Sequence, residues 1–172
     1  MPSLDEEAKR RPLLQVALDV LEIERAIEIA VQVLNAGFDI IEVGTPLIKY
    51  CGISCLKALR GVAGRKAFVV ADTKTVDAAR LELTPFLESG ADGVTVLGLS
   101  DMATIEEALM LCREKSKTLI VDLIGVTDVV DRALKLAELG VEVVLLHIGV
   151  DVQKRRGLTA KQLLKEVEQL SR

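Results

Sequence analysis

A doublet of strand and helix signals returns about every fifty residues along this chain, and few folds can accommodate it. Glycines suited to a helix end stand at Gly37, Gly90 and Gly140, and seven to nine residues later a glycine closes each following aliphatic run, at Gly44, Gly98 and Gly149. The runs between them close on an acid instead, at Asp19, Asp72 and Asp122. Strands are predicted over 13–19, 38–44, the apolar start of 67–77, 91–98, 118–125 and 141–149. None alternates polar with apolar residues, as strands buried on both faces require, so helices are expected outside a parallel sheet. Helical spacing marks 22–34, 53–59, 81–90 with Pro85 near its start, 103–113, 129–139 and 159–170.

Six equivalent strands with a pairwise repeat predict an α/β fold of the TIM-type (β/α) barrel kind more than an open doubly wound sheet. A closed barrel of that kind takes eight units and about 250 residues. With 172 residues there is room for six, so 12–172 is expected to form an incomplete barrel whose two exposed sheet edges invite association. Ahead of it, residues 1–11 predict a short helix started by a capping box of Ser3 and Glu6 and cut off by Pro12, serving as a lid under the fold or as a tail.

Composition removes several functions. With three Phe, one Tyr and no Trp there are few rings on which bases or sugars stack. The net charge of -4 leaves no basic surplus for displacing phosphate counterions, so no nucleic-acid partner is expected. No apolar run reaches the eighteen or so residues of a membrane span, and no secretory pattern opens the chain. Cys51, Cys55 and Cys112 suit a reduced interior, and the expected location is cytoplasmic.

The carboxyl ends of barrel strands form the active face. Those ends carry Asp19, Glu42, Asp72 with Lys74 and Asp77, Thr95, Asp122 and His147. Taken singly, His147 also reads as a buried histidine bonded to backbone, Asp19, Asp77 and Asp122 as helix caps, and Lys74 as charge balance. Their convergence on one rim is harder to dismiss. Glu42 and Asp72, on adjacent strands, form the natural pair for a hard divalent cation such as magnesium, an ion able to stabilise an enediolate.

The segments LQVALD (14–19), IIEVGTPLI (40–48), VVADTKTVDA (69–78), GADGVTVLG (90–98), VDLIGVTD (121–128) and HIGVDVQ (147–153) resemble, in order, the orotidine 5′-monophosphate decarboxylase superfamily in its 3-hexulose-6-phosphate synthase branch. The D-x-K-x-x-D element at Asp72, Lys74 and Asp77 is the specific mark of that superfamily. The resemblance implies aldol condensation of formaldehyde with ribulose 5-phosphate, a small phosphorylated sugar, with Mg2+ as cofactor. It implies that Glu42 and Asp72 bind the ion, that Asp19 and Lys74 hold substrate hydroxyls with Thr95 beside them, and that His147 is the base at C1. It also implies a homodimer in which Asp77 acts on the neighbouring subunit's site. Ala79 stands where the family has glycine, Thr73 replaces an aliphatic residue, Ile148 and Val150 replace more polar or aromatic ones, and the later strands whose loops hold the substrate phosphate are expected to be missing. Two other readings follow: decarboxylation of orotidine 5′-monophosphate or 3-keto-gulonate 6-phosphate, and a catalytically silent partner subunit.

Overall fold

In the structure, a computed structural model, residues 3–170 are described, the side chain of Ala160 excepted. Six parallel strands, β1 (Gln15–Leu18), β2 (Ile40–Val43), β3 (Phe68–Thr75), β4 (Gly93–Leu97), β5 (Thr118–Asp122) and β6 (Val143–Leu145), pair in sequence order from β1 to β6. Unlike a doubly wound sheet, whose order reverses at a switch point, this order steps always to the next neighbour. The sheet therefore curls as part of a barrel, with helices on its convex side and β1 and β6 as its edges.

The helices are α1 (Leu4–Arg10), α2 (Ile23–Asn35), α3 (Thr45–Cys51), α4 (Ile53–Ala63), α5 (Ala79–Glu88), α6 (Met102–Glu114), α7 (Val129–Leu139), α8 (Val150–Arg156) and α9 (Leu164–Leu170), with a 3-10 turn at Ala160–Leu163. Among the described residues, none is long and apolar enough to cross a membrane.

Strand periodicity sorts the apolar residues into two cores. Ile41, Val43, Val69, Ala71, Val94, Val96, Leu119 and Val121 pack outward with buried helix residues such as Leu56, Leu83 and Ile105. Ile40, Phe68, Val70 and Ile120 face the concave side and gather around Leu4 of α1. The capping box at Ser3 and Glu6 is formed, and Leu4 is only 4% exposed, so the leading segment is a lid under the fold rather than a tail.

Four expectations need correction. The helix expected at 53–59 is preceded by α3, with Gly52 (φ 61) turning one helix into the next. Pro85 lies inside α5, not at its start. It deprives the Leu81 carbonyl of a partner, and Leu81 sits at the solvent face where water can replace the lost bond. β6 is shorter than 141–149 because, as an edge, it has only β5 to hold it. Residues 150–156, for which no helix was expected, form α8; it is wholly exposed and so carries no apolar stripe to betray it.

Candidate active site at the strand carboxyl ends

The same alternation that builds the inner core delivers the charged rim. Residues of concave parity run Ile40, Glu42 on β2; Phe68, Val70, Asp72, Lys74 on β3; Thr118, Ile120, Asp122 on β5; and Val143, Leu145, His147 through and beyond β6. Apolar side chains fill the lower half, and charged ones crown it. A pocket of about 320 Å³ opens there, lined among others by Asp19, Glu42, Asp72, Lys74, His147 and Gln153.

β3 departs from regular pairing at this point. Its residues Ala71 and Thr75 pair with Val94 and Val96, so extra residues bulge from the strand, and Lys74 adopts a left-handed φ of 46°. The bulge brings the Lys74 ammonium 2.8 and 2.6 Å from the two Asp72 oxygens and 3.1 Å from Asp122 Oδ2. Asp122 Oδ2 in turn lies 2.9 Å from His147 Nδ1, while its Oδ1 accepts from the Ile124 amide at 2.9 Å. Asp72, Lys74, Asp122 and His147 thus form one continuous chain of polar contacts. Asp72 also accepts from the Thr45 hydroxyl at 2.7 Å and the Thr95 hydroxyl at 2.9 Å.

Burial and charged partners together set the charge states. Glu42, 7% exposed, is pushed up to about 7, first by loss of water and then by the Asp72 charge, against one hydrogen bond from Gln15 Nε2 at 2.8 Å. Burial opposes the charges of Lys74 and Asp122 as well, yet their partners prevail. Lys74 is held above its ordinary value by Asp72 and Asp122, and Asp122 below its own by His147, the Ile124 amide and Lys74. The Asp122 hydrogen bond raises His147. Since a carboxylate only accepts, the neutral imidazole keeps its proton on Nδ1, which leaves the Nε2 lone pair free.

A Cβ at Gly44 would overlap Asp19 Oδ1 and lie 2.7 Å from the Leu18 carbonyl oxygen. Only glycine lets the turn into α3 pass this close to the β1 end.

Comparison with known proteins gives the arrangement a lineage. The family model for orotidine 5′-phosphate decarboxylase / HUMPS matches residues 12–171. The chain belongs to this family. Within it, 3-hexulose-6-phosphate synthase of Mycobacterium gastri is 42% identical over 151 residues, which cover 88% of this chain and 72% of that protein. The enzyme of the same name from Bacillus subtilis (strain 168) is 38% identical over 140 residues, covering 81% and 66%. A crystal structure of 3-hexulose-6-phosphate synthase superposes with a TM-score of 0.83 at 41% identity, covering 89% of this chain and 73% of that one. The chain thus spans about two thirds to three quarters of the length of these family members.

Against the residues named from sequence, the family rim is assembled unevenly. Asp19, Glu42, Asp72, Lys74 and His147 line one pocket. Thr95 is fully buried behind Asp72, holding the Asp72 carboxylate and the Lys74 amide (2.9 Å) rather than facing the pocket. Asp77 is exposed beyond β3 and caps nothing: α5 begins after Ala78 without a side-chain cap. Two supporting residues escaped sequence reasoning, as did the pairing of a third. Thr45 and Gln15 hold Asp72 and Glu42, and Asp122, foreseen on the rim, is the specific partner of His147. Gln15 was findable, because it shares the concave parity of Asp19.

Among the described residues no cluster of three or more His, Cys, Asp or Glu stands ready for a metal. The pair Glu42 and Asp72 nevertheless fits a hard divalent cation. Both donors are carboxyl oxygens, both are buried, and the Asp72 charge adds to burial in raising Glu42, a strain that a cation shared between them would relieve. Magnesium is commonly held by one or two carboxylates, with water and substrate oxygens completing its shell.

Proposed function

We propose that the chain is an aldehyde-lyase that condenses formaldehyde with ribulose 5-phosphate to give 3-hexulose 6-phosphate. The observation that supports this most is His147, backed by buried Asp122 and with its Nε2 free, in the pocket that also holds the Glu42 and Asp72 carboxyls. In this reading His147 Nε2 takes a proton from C1 of the sugar phosphate. The electron pair left there, spread as an enediolate, attacks the formaldehyde carbon. A carbon–carbon bond forms, the aldehyde oxygen takes up a proton, and a five-carbon chain becomes six. Asp19 and Lys74 hold hydroxyls at the reacting end. Glu42 and Asp72 would hold a divalent cation, magnesium in this proposal, which would supply positive charge to stabilise an enediolate.

The proposal includes a homodimer. Exposed Asp77 is flanked by exposed Val76 and Leu81, with exposed Leu99 following the adjacent strand, a surface suited to a second copy whose pocket Asp77 reaches.

The test is formaldehyde consumption by the purified chain with ribulose 5-phosphate and magnesium, with and without a chelator. Activity is expected to require the cation and to fall roughly 10²–10⁴-fold in His147→Ala and at least as far in Asp72→Ala. Equal turnover after either substitution overturns the mechanism. Inactivity of the unaltered chain overturns the enzymatic assignment and favours the silent-partner reading.

A further inference from the structure

The amino-terminal ends of the strands carry a repeated clasp. In the first two repeats an arginine ahead of the odd strand grips an aspartate ahead of the even strand, and that aspartate also accepts an amide of the odd strand or its approach. Arg11 Nη2 lies 2.7 Å from Asp39 Oδ1, whose Oδ2 accepts from the Leu14 amide at 2.9 Å. Arg60 Nη1 lies 2.7 Å from Asp92 Oδ2, which accepts from the Val69 amide at 2.9 Å. The third repeat offers the same parts, Arg113 at the end of α6 and Glu142 ahead of β6, but leaves the clasp open. The longer Glu142 side chain turns away to Lys9, 3.0 Å distant on α1. Arg113 keeps only the Gly140 carbonyl, at 3.1 Å, and has no carboxylate partner among the described residues.

This open clasp borders a cavity of about 690 Å³ at the end of the sheet opposite the rim. Arg65, which makes no hydrogen bond or ion pair among the described residues, lines it with Arg113, Ser116 and Lys117. The four acids of the wall are already engaged: Glu142 with Lys9, Asp92 with Arg60 and Lys117, Asp5 with the Thr118 hydroxyl at 2.8 Å, and Glu6 with the Ser3 amide at 2.9 Å. What remains without an anionic partner is a set of donors: the Arg65 guanidinium, that of Arg113 apart from its one bond to the Gly140 carbonyl, and the Ser116 hydroxyl.

We propose that this cleft is a second binding site, distinct from the rim, for a small phosphate monoester held by Arg113 and Arg65. Forked guanidinium donors match the geminal oxygens of a phosphate, and two forks with Ser116 offer more donors than a carboxylate's two oxygens can use well. The volume leaves room for an organic group beyond the phosphate. The inference does not depend on the reaction at the rim.

The test is titration of the full chain, followed by amide proton–nitrogen spectra, with inorganic phosphate, glucose 6-phosphate and citrate in turn, ionic strength being matched with sodium chloride. Saturable shifts are expected at Ser116, Lys117 and Gly140, with glucose 6-phosphate binding at least as tightly as phosphate and more tightly than citrate. Arg113→Gln should weaken binding by about tenfold or more, the worth of one charge-assisted pair. Glu142→Asp, by restoring the length found in the two closed clasps, should weaken it too, whereas His147→Gln should not. Shifts reproduced by sodium chloride, shifts confined to the rim, or affinity unchanged in Arg113→Gln overturn the proposal. Tighter binding of citrate, or of inorganic phosphate without glucose 6-phosphate, overturns the ligand class.

Discussion

Replacing Glu42 by glutamine is expected to make the protein more stable above neutral pH while removing half of its proposed cation site. The folded carboxyl titrates at about 7, against 4.5 for an ordinary glutamate. Between those values the folded chain keeps a proton that the unfolded chain has released. Stability therefore falls as pH rises through this window, and the loss is complete above the folded value. The gap is worth roughly 3 kcal/mol. An amide has the shape of the protonated carboxyl, keeps an oxygen for Gln15 to bond, and never ionises, so Glu42→Gln escapes the loss. For a chain of this length the difference corresponds to about 6–12 °C in the unfolding midpoint. Thermal melts should therefore show the variant close to the unaltered protein near about pH 5 and well above it near about pH 8.5.

A divalent cation should reverse the order. Magnesium ions favour the ionised Glu42 and should raise the midpoint of the unaltered protein at the higher pH, with a much smaller effect on the variant. Melting curves that coincide at both pH values, or a variant less stable at the higher one, would refute the claim that Glu42 is a buried carboxyl strained by its neighbour. A magnesium response equal in both proteins would refute its place in the cation site.

Asp122→Asn should move the rising limb of the pH–activity profile to lower pH, since the bond that raises His147 is weakened, and should lower the maximal rate because an amide no longer fixes the productive tautomer; activity profiles over pH check both. Gly44→Ala is expected to cost about 1–3 kcal/mol in urea unfolding and to reduce activity by displacing Asp19, because the added carbon meets Asp19 and the Leu18 carbonyl at once. Leu4→Ala should cost about 2–4 kcal/mol through the cavity it opens beneath the inner core. A cost near zero in that variant, by urea unfolding, would show that α1 does not close the fold.

The strand order and the rim were legible because the repeat places one chemistry-bearing residue at nearly every strand end, and a barrel needs only that regularity to bring them together. The face each residue occupies was harder to read. With both faces buried, apolar runs such as 67–71 and 118–121 show no alternation, so inward and outward positions look alike. One fixed point removes the ambiguity: once Asp72 is known to face inward, parity along paired strands assigns Glu42 and Asp122 to the same side. What parity does not supply is contact. The link from Lys74 to both Asp72 and Asp122 depends on a bulge and a left-handed residue inside an otherwise regular strand, and neither glycine nor proline marks it. Such a conformation is unfavourable for lysine, and here two carboxylates oppose that cost by holding its ammonium. Neutralising Asp72 and Asp122 together should therefore let Lys74 relax toward ordinary strand geometry and loosen the pairing of β3 with β4 near Thr75. Faster amide exchange at Lys74 and Thr75 in the double variant, beyond that at the distant Val69, would show that the rim's electrostatics hold the bulge in place, and unchanged exchange would show that the backbone imposes it.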